Sequence, residues 1–299
     1  MAAKNFLLIF SQKLFLAIIT DRQRLPRPCY CKDEVRRYNG SRMPDIQANG
    51  RFGRLLVNRE IPLTRIQKLI GARMMASKSS KPCFYLRVKA DVTELMSMRP
   101  GLRKQLGVKI TTNAFYIKAL ALGAVKFPLM VGKLEGDYIR IAEDINVGFA
   151  VMAPQGLVVP VVKNADRMSL AEIAEAEKEL TYKARDNKLS LEELENETIA
   201  LSNLGAYDID TFIGIVPPPA STILAVGNIL REVVPVDGEM VNRKMASLTL
   251  AVDHCVINGA YAAQFLNFLK SELEDPEGMV RRDVRRADEA LPASAARKG

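Results

Sequence analysis

Met245-Ala-Ser-Leu-Thr-Leu-Ala-Val252 is a run of strand-forming residues, and Asp253-His-Cys-Val-Ile-Asn-Gly259 follows it directly. From Gly259 to about Leu273 the apolar residues change to helical spacing, with Ala260, Ala263, Leu266 and Leu269 predicted to face inward. The passage therefore reads as strand, sharp turn at Gly259, and helix closed by Asp275-Pro276. His254, the only histidine of the 299 residues, stands at the strand end. A rigid element aims a side chain placed there, which suits a catalytic base. On its own, a strand-end histidine is more often a surface or packing group.

Working outward, strands alternate with helices. Pro82 stops a helix that runs from a capping box at Thr64-Arg-Ile-Gln67 to about Lys78. Phe84, Leu86, Val88 and Ala90 alternate as in a strand, and an apolar helix spans Thr112 to Phe127, with Gly123 as its one irregularity. Two apolar runs, Ile145–Met152 and Leu157–Val162, flank a turn at Ala153-Pro-Gln-Gly156. Ser169-Leu-Ala-Glu172 opens a helix with Leu170, Ile173, Leu180 and Ala184 on one side, and Ser190-Leu-Glu-Glu193 opens a short one. Ile199–Leu201, Thr222–Val226 and Glu232–Pro235 read as strands, and Asp237-Gly238 as a hairpin turn before Met245–Val252. This interleaving predicts a mixed α/β layer rather than a doubly wound parallel sheet.

The net charge of +9 is not spread evenly. Residues 1–60 carry +7, residues 277–299 carry +2, and residues 61–276 are neutral. The body thus lacks the electrostatic footprint of a nucleic-acid binder. We expect residues 1–60 to be a basic, disordered or targeting extension, 61–276 the folded domain, and 277–299 a charged disordered tail. Ser11, Gln12 and Lys13 interrupt the apolar stretch Phe6–Thr20, so its unbroken pieces are too short for a membrane span, and no other segment is long and apolar enough. Cys29-Tyr-Cys31 lacks zinc-knuckle spacing, and with Cys83 and Cys255 it fits free thiols in a reducing compartment.

Phosphate-loop, dinucleotide, nucleophile-elbow and two-histidine metal motifs are all missing. A Cys255–His254 dyad is disfavoured, since neighbours in extended chain point to opposite faces. Ser202-Asn-Leu-Gly205 ends a strand beside a turn, where a hydroxyl is able to donate to an oxyanion. By itself it is an ordinary Ser/Asn turn.

Taken together, six stretches resemble one family. They are Pro62–Met74, Lys81-Pro-Cys-Phe-Tyr85, Asn146–Val162, Leu201-Ser-Asn-Leu-Gly205, Pro217–Gly227 and Asp253–Ala260. The family is the catalytic domain of the dihydrolipoamide acyltransferases, the core component of 2-oxo acid dehydrogenase complexes, and the match covers residues 61–276. The resemblance implies a chloramphenicol-acetyltransferase-like α/β fold, a mixed sheet with flanking helices. It implies homotrimers with sites between subunits, assembled into a large hollow core beside the dehydrogenase components. His254 would take the proton from a coenzyme A or dihydrolipoyl thiol, and Ser202 would bond the oxyanion from across the interface. The acyl group would be acetyl, the family's commonest case.

The chain departs from the family pattern His-Arg-x-x-Asp-Gly at Cys255 and Asn258, and from a family histidine at Cys83. Asn258 would stand for a shape-holding aspartate, which predicts an unpaired Arg65 or Arg73. Neither a lipoyl hairpin nor a subunit-binding module is read in residues 1–60, so the lipoyl group is expected from another chain. The expected compartment is the cytoplasm, or alternatively the mitochondrial matrix. Two further readings stand beside the enzyme: a non-catalytic scaffold subunit of the same fold, and a coenzyme A-dependent acyltransferase with another acceptor.

Overall fold

The computed structural model describes residues 61–63, 65–154 and 156–290, with side chains to 283 apart from that of Ile66. The expectations for residues 1–60, including Cys29 and Cys31, for the cap Thr64, and for 291–299 lie outside the described residues. The elements are α1 (Arg65–Ser80), β1 (Cys83–Asp91), α2 (Thr93–Leu106), α3 (Thr112–Lys126), β2 (Gly132–Glu135), β3 (Tyr138–Ile141), β4 (Val147–Phe149), β5 (Val151–Ala153), β6 (Gly156–Val158), β7 (Val161–Val162), α4 (Leu170–Arg185), β8 (Ile199–Asn203), β9 (Thr222–Val236), β10 (Glu239–Asp253), α5 (Gly259–Glu274) and α6 (Pro276–Ala290).

Six strands form one mixed sheet in the order β1-β10-β9-β8-β4-β7. β8 runs parallel to both β9 and β4, and the remaining pairs are antiparallel. Leu86, Leu250, Leu224 and Leu201 lie in register across four strands and face the helices. There they pack with Phe115, Leu120, Phe265 and Leu269 of α3 and α5 in the main core. Gly123 in the apolar helix now has a reason. A Cβ there would sit 2.6 Å from Phe265 Cε2, so the glycine lets α3 and α5 approach. The opposite face carries a smaller cluster of Ala200, Val216, Ile223 and Ala251.

Several expectations hold. The Ser169 capping box has both reciprocal bonds, and Leu170, Ile173, Leu180 and Ala184 are buried. Ser190 and Glu193 exchange the same pair of bonds, on a single 3-10 turn (Glu192–Leu194). Asp237 and Gly238, at φ 51° and 86°, join β9 to β10 in a two-residue turn.

Other expectations are corrected. Thr222–Val226 and Glu232–Pro235 belong to one fifteen-residue strand. Gly227-Asn228, which interrupts its pattern, is a bulge opposite Ser247. The run Ile145–Met152 breaks at Ala150, and Leu157–Val162 breaks at Pro160, so each supplies one strand to the sheet and one to the β5–β6 hairpin. α2 escapes the periodic reading because Pro100-Gly101 looks like a stop, yet buried Leu95 and Leu102 hold the helix to a left-handed Gly107 cap. The β2–β3 hairpin gives no alternating signal either, because all four residues of β3 are exposed. In α5 the buried side is Ala262, Phe265, Leu266, Leu269 and Leu273, while Ala260 is exposed.

The largest correction is at the C-terminal side. Residues 276–290 form α6 rather than a structureless tail. Met279 is fully buried, and Asp283 reaches the buried Lys118 ammonium at 2.6 Å while accepting a bond from Leu170 N. Charge composition alone hides such a helix, because its few inward groups are dispersed among arginines.

Candidate active site

His254 sits just beyond the β1–β10 ladder, where Cys83 opposes Asp253. Its backbone N–H donates to Pro82 O at 3.1 Å, which carries the pairing one residue past the strand. Its ring lies tilted against Phe84, with centroids 4.6 Å apart, and its side chain is exposed. The turn beneath it is fixed at both ends. At the start, buried Asp253 accepts from Cys255 N at 3.0 Å through Oδ1, faces Lys81 Nζ at 3.4 Å through Oδ2, and takes Val256 N and Ile257 N on its carbonyl. At the end, Asn258 caps α5, its Oδ1 accepting from Tyr261 N at 2.9 Å. The imidazole projects from this framed turn, beside the exposed side chain of Cys255.

Asp253 was not singled out from sequence. An Asp two residues before a turn amide was the available signal, and the Asx turn it forms is local chemistry. Arg73 corrects another expectation. It pairs with Glu197 at 2.8 Å and donates to Pro218 O at 2.5 Å, so Asn258 leaves it no orphan. Burial pushes the Glu197 carboxyl above its ordinary range, and Arg73 offsets only part of that.

Cys255 is exposed and Cys83 half-buried. Desolvation first, and the Asp253 charge second, push both thiols up. The thiolate that a Cys–His pair needs is disfavoured here, in keeping with the sequence argument against that dyad.

Ser202 is half-buried on β8, on the face opposite the main core. In register it shares a row with Ala225, Thr249 and Arg87. His254 is two strands away and five residues further along β10, which strand geometry places roughly 15–20 Å from Ser202. One copy therefore does not bring the two into contact. On the helix side, Asn203, the α3 start at Thr111–Asn113, Glu177 and Arg99, Arg231 and Lys244 line a cavity of about 610 Å³. A second cavity of about 380 Å³ lies between the β2–β3 hairpin and the segments around Asn146 and Glu197. Neither is lined by His254. Among the described residues no cluster of three His, Cys, Asp or Glu is able to hold a metal, and no helix is long and apolar enough to cross a membrane.

The model for the 2-oxoacid dehydrogenases acyltransferase catalytic domain matches residues 57–281. A mitochondrial dihydrolipoyllysine-residue acetyltransferase component of pyruvate dehydrogenase complex from Schizosaccharomyces pombe is 35% identical over 222 residues, covering 73% of this chain and 46% of its own length. The chain thus spans about half the length of such relatives. A probable dihydrolipoamide acetyltransferase from Listeria monocytogenes superposes with a TM-score of 0.70 at 34% identity, covering 73% of this chain and 95% of that structure. The Azotobacter vinelandii dihydrolipoamide acetyltransferase gives 0.71 at 30% identity, covering 81% and 100%; its structure comes from a study of the roles of a serine, a histidine and an asparagine in its catalytic mechanism. With its mixed sheet, its framed histidine turn and this match over most of the folded body, the chain belongs to the 2-oxoacid dehydrogenase acyltransferase family, in its catalytic domain.

Proposed function

We propose that this protein transfers an acyl group, acetyl in the first instance, between coenzyme A and a dihydrolipoyl thiol, as a core component of a 2-oxo acid dehydrogenase complex. The observation that carries the reading is the exposed imidazole of His254 on a turn pinned by Asp253 and Asn258. It is joined by a spacing. The serine, histidine and asparagine studied in the Azotobacter vinelandii enzyme are 52 and 4 positions apart, as are Ser202, His254 and Asn258 here.

His254 takes the proton of the attacking thiol, whose ordinary pKa near 8.5 puts that proton within reach of an imidazole base. The thiolate sulfur attacks the thioester carbonyl carbon, and the carbonyl electrons move to oxygen. Ser202 donates a hydrogen bond to that oxyanion. The tetrahedral species collapses, expels the other sulfur, and the imidazolium returns the proton to it.

The separation of Ser202 and His254 within one copy supports a site shared between copies. A homotrimer, and from it a larger hollow core, is the closed assembly that repeats such an interface. Asn203, next to Ser202, lines the cavity to which Arg99, Arg231 and Lys244 bring three cations against the one carboxyl of Glu177, beside the α3 N-terminus. That wall suits the diphosphate of coenzyme A. The test is acetyl transfer from acetyl-coenzyme A to free dihydrolipoamide by the folded, assembled chain. Transfer that requires His254 supports the reading. A folded assembly with no transfer would instead mark a scaffold subunit.

A further inference from the structure

Four hydrogen bonds in the wall of the larger cavity all point the same way. Gly205 N donates to Asn203 Oδ1 at 2.9 Å, and Asn203 Nδ2 donates to Asn113 Oδ1 at 2.8 Å. Asn113 Nδ2 then faces Glu177 Oε1 at 3.4 Å, and Thr111 Oγ1 donates to Glu177 Oε2 at 2.5 Å. The relay begins at a backbone amide in the Ser202–Gly205 turn and ends on a carboxylate that is only 7% exposed.

Each amide in the relay has one orientation that satisfies both neighbours. The Gly205 amide requires an acceptor, so Asn203 turns its oxygen there and its NH₂ to Asn113. Asn113 must then accept from Asn203 and donate onward, and only an acceptor at the far end completes the chain. Glu177 is that acceptor. Thr111 also caps α3, accepting from Ala114 N at 3.0 Å, so the same carboxylate ties α3 to the end of β8. A buried carboxylate would be costly without such bonds.

We propose that Glu177 is a positioning residue for acyl transfer: through Asn113 and Asn203 it fixes the end of β8, from which Ser202 presents its hydroxyl to the oxyanion. This role rests on the acyl-transfer reading above. Glu177 touches no reacting atom, and its effect passes through Ser202. A glutamine at 177 preserves the relay, with its oxygen accepting from Asn113 and its NH₂ donating to Thr111. A leucine leaves two donors unanswered.

The experiment is a double-mutant cycle in the assembled chain, reading transfer from acetyl-coenzyme A to dihydrolipoamide. Glu177→Leu should lower kcat about tenfold with little change in KM, as expected for a contact that matters in the transition state. Glu177→Gln, which keeps both bonds of the relay, should recover most of that loss in kcat. In a Ser202→Ala background, Glu177→Leu should cost less than about twofold, because the hydroxyl it positions is gone. If Glu177→Leu does not fold, Asn113→Ala breaks the relay at its middle and must show the same coupling to Ser202. Losses that multiply in the double variant, or a glutamine as damaging as leucine, overturn the role while leaving the acyl-transfer reading intact. A folded parent without transfer overturns both.

Discussion

Lys118 and Asp283 form an ion pair 2.6 Å long, and the lysine side chain is only 1% exposed. Its ammonium also donates to Met168 O at 2.6 Å, so a helix of the core, the loop before α4 and the C-terminal helix α6 meet at one charge. Removing one partner of a buried pair leaves the other uncompensated, at a cost of about 3–5 kcal/mol. Lys118→Met should therefore lower the melting temperature strongly, whereas Lys188→Met, whose pair with Asp186 is exposed, should change it little. Thermal melts of the two variants compare them directly, and equal effects would contradict the assignment.

His254→Ala should abolish transfer without unfolding the chain. The side chain is exposed, and the turn is held by Asp253 and Asn258 rather than by the imidazole. Loss of a general base typically costs about 10²–10⁴ in rate. Acetyl transfer and a melting curve on the same preparation separate the two effects. Residual activity within tenfold of the parent would remove His254 from its role.

Ser202→Ala should lower kcat by about 10²–10³, the usual cost of one oxyanion donor. Because Ser202 and His254 of one copy lie far apart, mixing is informative. Co-assembled His254→Ala and Ser202→Ala chains should regain activity at about one interface in four, where an intact histidine faces an intact serine. Mixed assemblies as inactive as either parent variant would place both groups in one copy.

Asn258→Ala removes the cap of α5 and should destabilise by about 1 kcal/mol. Asn258→Asp keeps the accepting oxygen and adds a charge that the helix N-terminus favours. Its stability and its transfer rate should match or exceed the parent's. A large loss of activity in the aspartate variant would mean that the turn depends on the amide itself.

Burial raises the Glu177 carboxyl above its ordinary 4.5, against the lowering effect of its bonds from Thr111 and Asn113. The native state thus binds this proton more tightly than the unfolded chain does. Ionised Glu177 costs stability at neutral pH, and that cost disappears as pH falls through the raised value toward 4.5. Glu177→Gln should gain melting temperature relative to the parent at pH 7, and the gain should shrink as pH approaches 4.5. A difference independent of pH would argue against burial as the cause.

Much of this protein could be read from local signals. The Ser169 box, the Asp237-Gly238 turn and the alternation Phe84–Ala90 are each encoded by neighbours in sequence, so their structure follows from short-range bonding and periodicity. The six ordered motifs carried the family, and with it the interest in His254, Ser202 and Asn258. Other features rest on partners far apart in the chain. α6 is secured by Met279 in the core and by Asp283 on Lys118, 165 residues away, which no charge count reveals. Arg73 finds Glu197 124 residues on, so Asn258 leaves that arginine no orphan. The relay from Gly205 to Glu177 joins β8, α3 and α4, and each of its residues alone is an ordinary polar side chain. Sequence determined which elements form, because helices, turns and strands are settled within a few residues. Only the tertiary structure decided which polar groups meet, because a buried donor or charge takes whichever distant partner the packing brings within about 3 Å.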